Sequence, residues 1–155
     1  MTLSLVGPWE LQARNVVAYV DIRVFSHATE DEAKVMEAVK KILPSACVDA
    51  IVFEKHVLSG HHGNPIVFFD ARVKDKETLK AMVERIAMHL NTLDKETLSR
   101  HFGEYSEKGS LYLRLDKQAA FEDEFKLAQV DPIRIHVRFK KRDITEICKE
   151  LGLIS

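Results

Sequence analysis

The sequence predicts a single α+β domain over residues 1–155, with a mixed, largely antiparallel sheet covered by helices on one face. Three observations carry that expectation. Ile133, Ile135, Val137 and Phe139 alternate with Arg134, His136, Arg138 and Lys140, the period-two pattern of a strand with one buried and one exposed face. Leu79, Met82, Val83, Ile86, Ala87 and Leu90 recur at helical spacing with charges on the opposite side, so that stretch is an amphipathic helix. Between two β-rich segments stands Ser59-Gly60-His61-His62-Gly63-Asn64, which has the length and glycines of a hairpin connection.

Asn15 to Phe25, rich in Val, Ile, Tyr and Phe, predicts a first strand, apolar on much of both faces. Thr29 followed by Glu32 predicts a capping box, with Val35, Val39 and Ile42 on one helical face and Pro44 as the stop. Ala50 to Ser59 and Pro65 to Lys74 form the hairpin, and Asp75 caps the long helix. A shorter helix runs from about Asp94 to His101 and ends near Gly103. Gly109 to Leu115 alternates Leu111, Leu113 and Leu115 with Tyr112 and Arg114, a half-buried strand. Asp116 to Ala128 reads as helix because Phe121 and Phe125 lie one turn apart. Ile133 to Lys141 is the last strand, and Asp143 caps a final helix carrying Ile144, Ile147, Cys148 and Leu151. The expected order is β-α-β-β-α-α-β-α-β-α.

With 46% hydrophobic and 30% charged residues the chain is composed to fold around a core. The formal net charge is only −1, so any polyanion site must arise from local segregation of charge. Two cysteines without metal-type spacing, no apolar run long enough to span a bilayer and no signal-like N-terminus predict a reduced, cytoplasmic setting.

The last strand is the clearest functional candidate. Packing its apolar residues on helices sends Arg134, His136, Arg138 and Lys140 to the other face, and Lys141 and Arg142 extend the run. Arg23 and Arg114 join them if their strands are neighbours. Acids concentrate elsewhere, at Glu30-Asp31-Glu32 and Glu122-Asp123-Glu124, so the expected face carries one sign of charge and suits a phosphate backbone. The competing reading is a solvated outer face. The loop is the second candidate: its glycines allow close approach of an anion, and His61, His62 and Asn64, with His56 in the preceding strand, supply donors. A zinc site there lacks a clear fourth ligand, and an exposed hairpin turn is the plain alternative. Neither a phosphate-loop nor a nucleophile-elbow pattern is present, and Cys148 sits on an apolar helical stripe, so the reading is a binding protein rather than an enzyme.

The segment Phe53 to Phe69, FEKHVLSGHHGNPIVFF, together with the long amphipathic helix and the basic strand, resembles an archaeal family of predicted exosome subunits or RNA-binding proteins. The resemblance runs from about Val16 to Phe139, and the Gly-His-His-Gly-Asn-Pro loop is its most specific element. It implies a fold related to the ribosomal protein that binds 5S RNA. It also implies a role in RNA processing or ribosome assembly, with structured RNA and exosome or ribosomal proteins as partners and no activity or cofactor of its own. The rival readings are a protein-assembly module without RNA contact and a metal-dependent hydrolase built on His56, His61 and His62.

Overall fold

A computed structural model describes residues 16–60 and 63–155. The strands are β1 (Val17–Ser26), β2 (Glu54–Ser59), β3 (Pro65–Val73), β4 (Ser106–Glu107), β5 (Ser110–Leu115) and β6 (Ile133–Phe139). The helices are α1 (Glu32–Lys41), α2 (Lys76–His89), α3 (Thr92–Arg100), α4 (Phe102–Tyr105), α5 (Lys117–Phe121) and α6 (Thr145–Glu150). The six strands form one sheet in the order β2-β3-β1-β6-β5-β4, and each neighbouring pair is antiparallel. The α+β architecture read from the sequence is therefore the one observed.

Period-two patterning accounts for the layering. Ile133, Ile135, Val137 and Phe139 of β6 are at most 2% exposed. They pack in one core with Val20, Ile22 and Val24 of β1 and Leu111, Leu113 and Leu115 of β5. Val35, Val39 and Ile42, and Leu79, Met82, Val83 and Ile86, enter the same core from α1 and α2. Cys148 of α6 is fully buried there, and burial pushes its thiol up to about 12, so it behaves as a small apolar side chain. Among the described residues, no helix is long and apolar enough to cross a membrane.

Several boundaries differ from the sequence reading, each for a local reason. Helix α1 is capped by Asp31, whose carboxylate accepts from the Ala33 N–H, and not by Thr29. Val48–Ala50 forms a 3₁₀ turn, which delays β2 to Glu54. Helix α3 starts at Thr92 with Asn91 as its cap, and α4 with the short β4 occupies the stretch where only a helix end was expected. Gly109, at φ +88, forms with Lys108, at φ +43, the two-residue turn before β5, and a side chain at Gly109 would strike the Lys141 carbonyl. Strand β6 stops at Phe139, and Asp143 accepts from the Thr145 N–H as α6 begins.

The largest departure is the expected helix from Asp116 to Ala128, which ends at Phe121. Asp123 adopts φ +65 and turns the chain back along β5. Asp116 N–H then donates to the Lys126 carbonyl and Ala128 N–H to the Arg114 carbonyl. Phe125, 4% exposed, fills the core beside Leu90, as a helical residue would, which is why its spacing from Phe121 mimics a turn. The need to satisfy the backbone groups on the edge of β5 outweighs the helical pattern here.

The hairpin β2–β3 closes as expected, with Ser59 opposite Pro65. Gly60 donates its N–H to the Asn64 carbonyl and lies so close to that oxygen that no side chain fits. Gly63 supplies the positive φ of +78. His61 and His62 lie outside the described residues.

Ile135 faces Ile22 on one side and Leu113 on the other, at the centre of the dry layer. Ile135→Ala is expected to lower unfolding free energy by about 2–5 kcal/mol in urea denaturation. Removal of its outward neighbour by Arg134→Ala is expected to cost no more than about 0.5 kcal/mol.

Candidate nucleic-acid interface

The face of the sheet turned away from the helices is set by the same alternation. β1 presents Tyr19, Asp21, Arg23 and Phe25 on it, β3 presents Phe68, Asp70 and Arg72, and β6 presents Arg134, His136 and Arg138. Cross-strand register arranges these residues in rows. Glu54, Asp70, Arg23, Arg134 and Arg114 stand opposite one another across β2, β3, β1, β6 and β5. The adjoining row is Arg72, Asp21, His136 and Tyr112, and a third holds Tyr19, Arg138 and Ser110. The first two rows line an open trough of about 730 Å³.

Paired charges hold part of this surface. Arg72 donates through Nε and Nη2 to both oxygens of Asp21, at 2.7 and 2.9 Å, and lies 4.0 Å above the Tyr19 ring. The hydrogen bonds that Arg72 donates to Asp21 raise its pKa further and keep the guanidinium charged. Arg23 approaches Asp70 at 3.6 Å and sits 5.0 Å over Phe68. Half-exposed pairs of this kind contribute roughly 0–1 kcal/mol each, so their main effect is to orient side chains. Arg138 donates to the Lys108 carbonyl and to Ser110 Oγ.

The His136 side chain is 24% exposed. Its Nε2 lies 2.8 Å from Ser110 Oγ and its ring stacks on Tyr112 at 4.7 Å. Burial lowers its pKa, and the nearby Arg138 and Arg72 charges act the same way against the opposing pull of Asp21. It is therefore a neutral imidazole at neutral pH, and the positive charge of the face comes from arginine.

Arg23, Arg114, Arg134, His136, Arg138 and His56 all come to this one face, whereas the sequence alone left the neighbouring of Arg23 and Arg114 open. Lys140, Lys141 and Arg142 lie in the exposed turn beyond β6, past the strand that was expected to carry the first two. Asn64 is exposed at the hairpin tip. The expectation that acids lie elsewhere is corrected: Asp21, Glu54 and Asp70 are on the arginine face. The sequence reading missed Asp21, Tyr19 and Phe25 because it took β1 as apolar on much of both faces, and it missed Glu54, Phe68 and Arg72 on the hairpin strands. The alternation of Asp21 and Arg23 with Val20, Ile22 and Val24 was the available signal.

A family model described as RNA binding matches residues 19–140. RNA-binding protein PAB1135 of Pyrococcus abyssi is 37% identical over 133 residues, 84% of this chain and 83% of that protein. The crystal structure of protein AF2318 from Archaeglobus fulgidus aligns with a TM-score of 0.73 at 27% identity, covering 87% of this chain and 99% of that one. Protein SSO0741 from Sulfolobus solfataricus aligns with a TM-score of 0.74 at 25% identity, covering 86% of this chain and 97% of that one. With a family model spanning most of its length and an archaeal relative of this similarity, the chain belongs to the archaeal RNA-binding family.

Proposed function

We propose that this protein binds structured RNA through the arginine-bearing sheet face, without catalysing a reaction. The observation that carries this reading is the row Arg23, Arg134 and Arg114, three guanidiniums directly opposite one another on three adjacent strands. Like charges placed directly across a sheet destabilise it. Arg23 has Asp70 beside it, but Arg134 and Arg114 have no carboxylate partner among the described residues. Two planar donors facing solvent without acids fit phosphate oxygens, whose binding would relieve the repulsion. A-form RNA is recognised largely by shape and by phosphate and 2′-hydroxyl contacts, which suits a broad cationic face better than a base code.

The names of the family and of the Pyrococcus protein support RNA as the partner. A place in exosome-linked RNA processing or in ribosome assembly, in the cytoplasm and beside exosome or ribosomal proteins, is the finer proposal, and it rests on the family resemblance. Lys140, Lys141 and Arg142 extend the cationic surface at one end, and Asn64 with His61 and His62 is the proposed second contact at the hairpin tip. A second reading, a protein-assembly module, has support in the exposed Val57 and Leu58 of edge strand β2. Co-purification of partners that survives nuclease treatment favours that reading.

Arg114→Gln with Arg134→Gln is expected to weaken RNA binding about tenfold or more and to reduce the slope of log affinity against log salt by about two, one for each phosphate contact removed. The double variant should melt at the same or a higher temperature, since it removes like-charge neighbours. Unchanged affinity and slope in a filter-binding salt series remove the row from the interface.

A pH test follows from His136. Its folded pKa lies below its unfolded value of 6.5, so the unfolded chain binds more protons in the window beneath 6.5. Stability is thus expected to fall as pH drops below 6.5 and to be fully present above it. In urea unfolding across that window, His136→Gln should show a shallower decline than the wild type. Equal slopes would mean that the imidazole is not held neutral.

A further inference from the structure

Two groups of imidazole and carboxylate side chains stand close enough to share an ion. One is His27, Glu30 and Asp131; the other is Glu54, His56 and Asp70 on the open sheet face. The first already has its cation. Lys117 Nζ lies 3.1 Å from Glu30 and 2.8 Å from Asp131, and it also donates to the Phe25 carbonyl. No lysine occupies the second group among the described residues.

The second group is electrostatically unfinished. Glu54 stands directly opposite Asp70 on the neighbouring strand, a juxtaposition of like charges that costs stability unless a cation answers it. Arg23 reaches Asp70 only through Oδ2, at 3.6 Å, and leaves Oδ1 turned towards His56. His56 Nε2 is 3.0 Å from Asp70 Oδ1 and 3.7 Å from Glu54 Oε2, and the three donor atoms all lie within 4.8 Å of one another. Donors bound at about 2.0–2.2 Å to one ion stand roughly 3–3.5 Å apart, so small side-chain adjustments bring all three into a coordination sphere. The imidazole is held in place for this: its ring stacks on Phe68 at 4.5 Å with an interplanar angle of 15°. Packing of that kind fixes the direction of a ligand nitrogen before a metal arrives.

We propose that Glu54, His56 and Asp70 form a binding site for a divalent first-row metal ion of the manganese type. One nitrogen and two carboxylate donors suit an ion of intermediate hardness. Three protein ligands leave further positions for water or for an oxygen of a molecule in the trough, which Glu54 and Asp70 line. The site lies at the acidic end of the same row whose other end is Arg134 and Arg114. It goes beyond the RNA-binding reading and does not depend on it. His56 is grouped here with Glu54 and Asp70, while His61 and His62, its partners in the sequence-based metal reading, lie outside the described residues.

The test uses the full chain, stripped with chelator and titrated with Mn²⁺ in the absence of RNA. Free Mn²⁺ is followed by electron paramagnetic resonance and binding heat by calorimetry. One Mn²⁺ per chain is expected. Glu54→Gln and His56→Ala should each weaken binding by about tenfold or more, the scale of loss seen when even outer-shell partners of a metal are removed. Glu30→Gln, in the group occupied by Lys117, should leave binding unchanged. The Glu54 side chain is 75% exposed, so its variant keeps the fold even if the His56 variant does not. No binding by the wild type, equal binding in the Glu54 variant, or loss in the Glu30 variant overturns the proposal.

Discussion

Ile22, Ile135 and Leu113 stand side by side on β1, β6 and β5, each at most 2% exposed. Helices close over that layer, and no one-residue slip of any central strand is compatible with it. A slip would carry isoleucines to solvent and arginines into the core, at roughly 2 kcal/mol or more per misplaced side chain. Register is therefore held by the dry face, although its consequence appears on the wet one. Because Ile22, Ile135 and Leu113 must align, Arg23, Arg134 and Arg114 must align too, each adjacent to its apolar neighbour in the chain.

That coupling explains how a surface carrying unfavourable neighbours persists. Opposed arginines cost on the order of tenths of a kcal/mol to a kcal/mol, and so do opposed carboxylates. The burial of a row of large apolar residues behind them is several times larger. The core thus holds the outer face in an arrangement that the outer residues alone would not choose. Arg72 with Asp21, and the guanidiniums resting over Tyr19, Phe68 and Phe25, moderate the cost without removing it. The result is a row with carboxylates at one end and guanidiniums at the other, ready for ligands of opposite charge.

Aromatic residues on this face work in a supporting position. Tyr112 packs on His136, Phe68 lies between His56 and Arg23, and Tyr19 lies beneath Arg72. They stiffen the polar side chains whose heads meet solvent, which favours recognition by placed charge over stacking on bare rings.

The layered α+β class, the hairpin with its two glycines and the inward face of β6 are legible in the amino-acid pattern. Each rests on a short-range pattern: period two, helical spacing, or glycine at a turn. The pattern also assigned Arg134, His136 and Arg138 to the outward face, since alternation leaves no other place for them. Beyond that hairpin, the neighbouring of strands follows from long-range packing. Asp70 is far along the chain from Arg23, and Asp21 from Arg72, so local pattern could not reveal that acids enter the arginine face. The return of residues 126–128 along the edge of β5 was hidden for the same reason. Its cause is the unpaired backbone of a distant strand, whereas the spacing of Phe121 and Phe125 speaks only of its own segment.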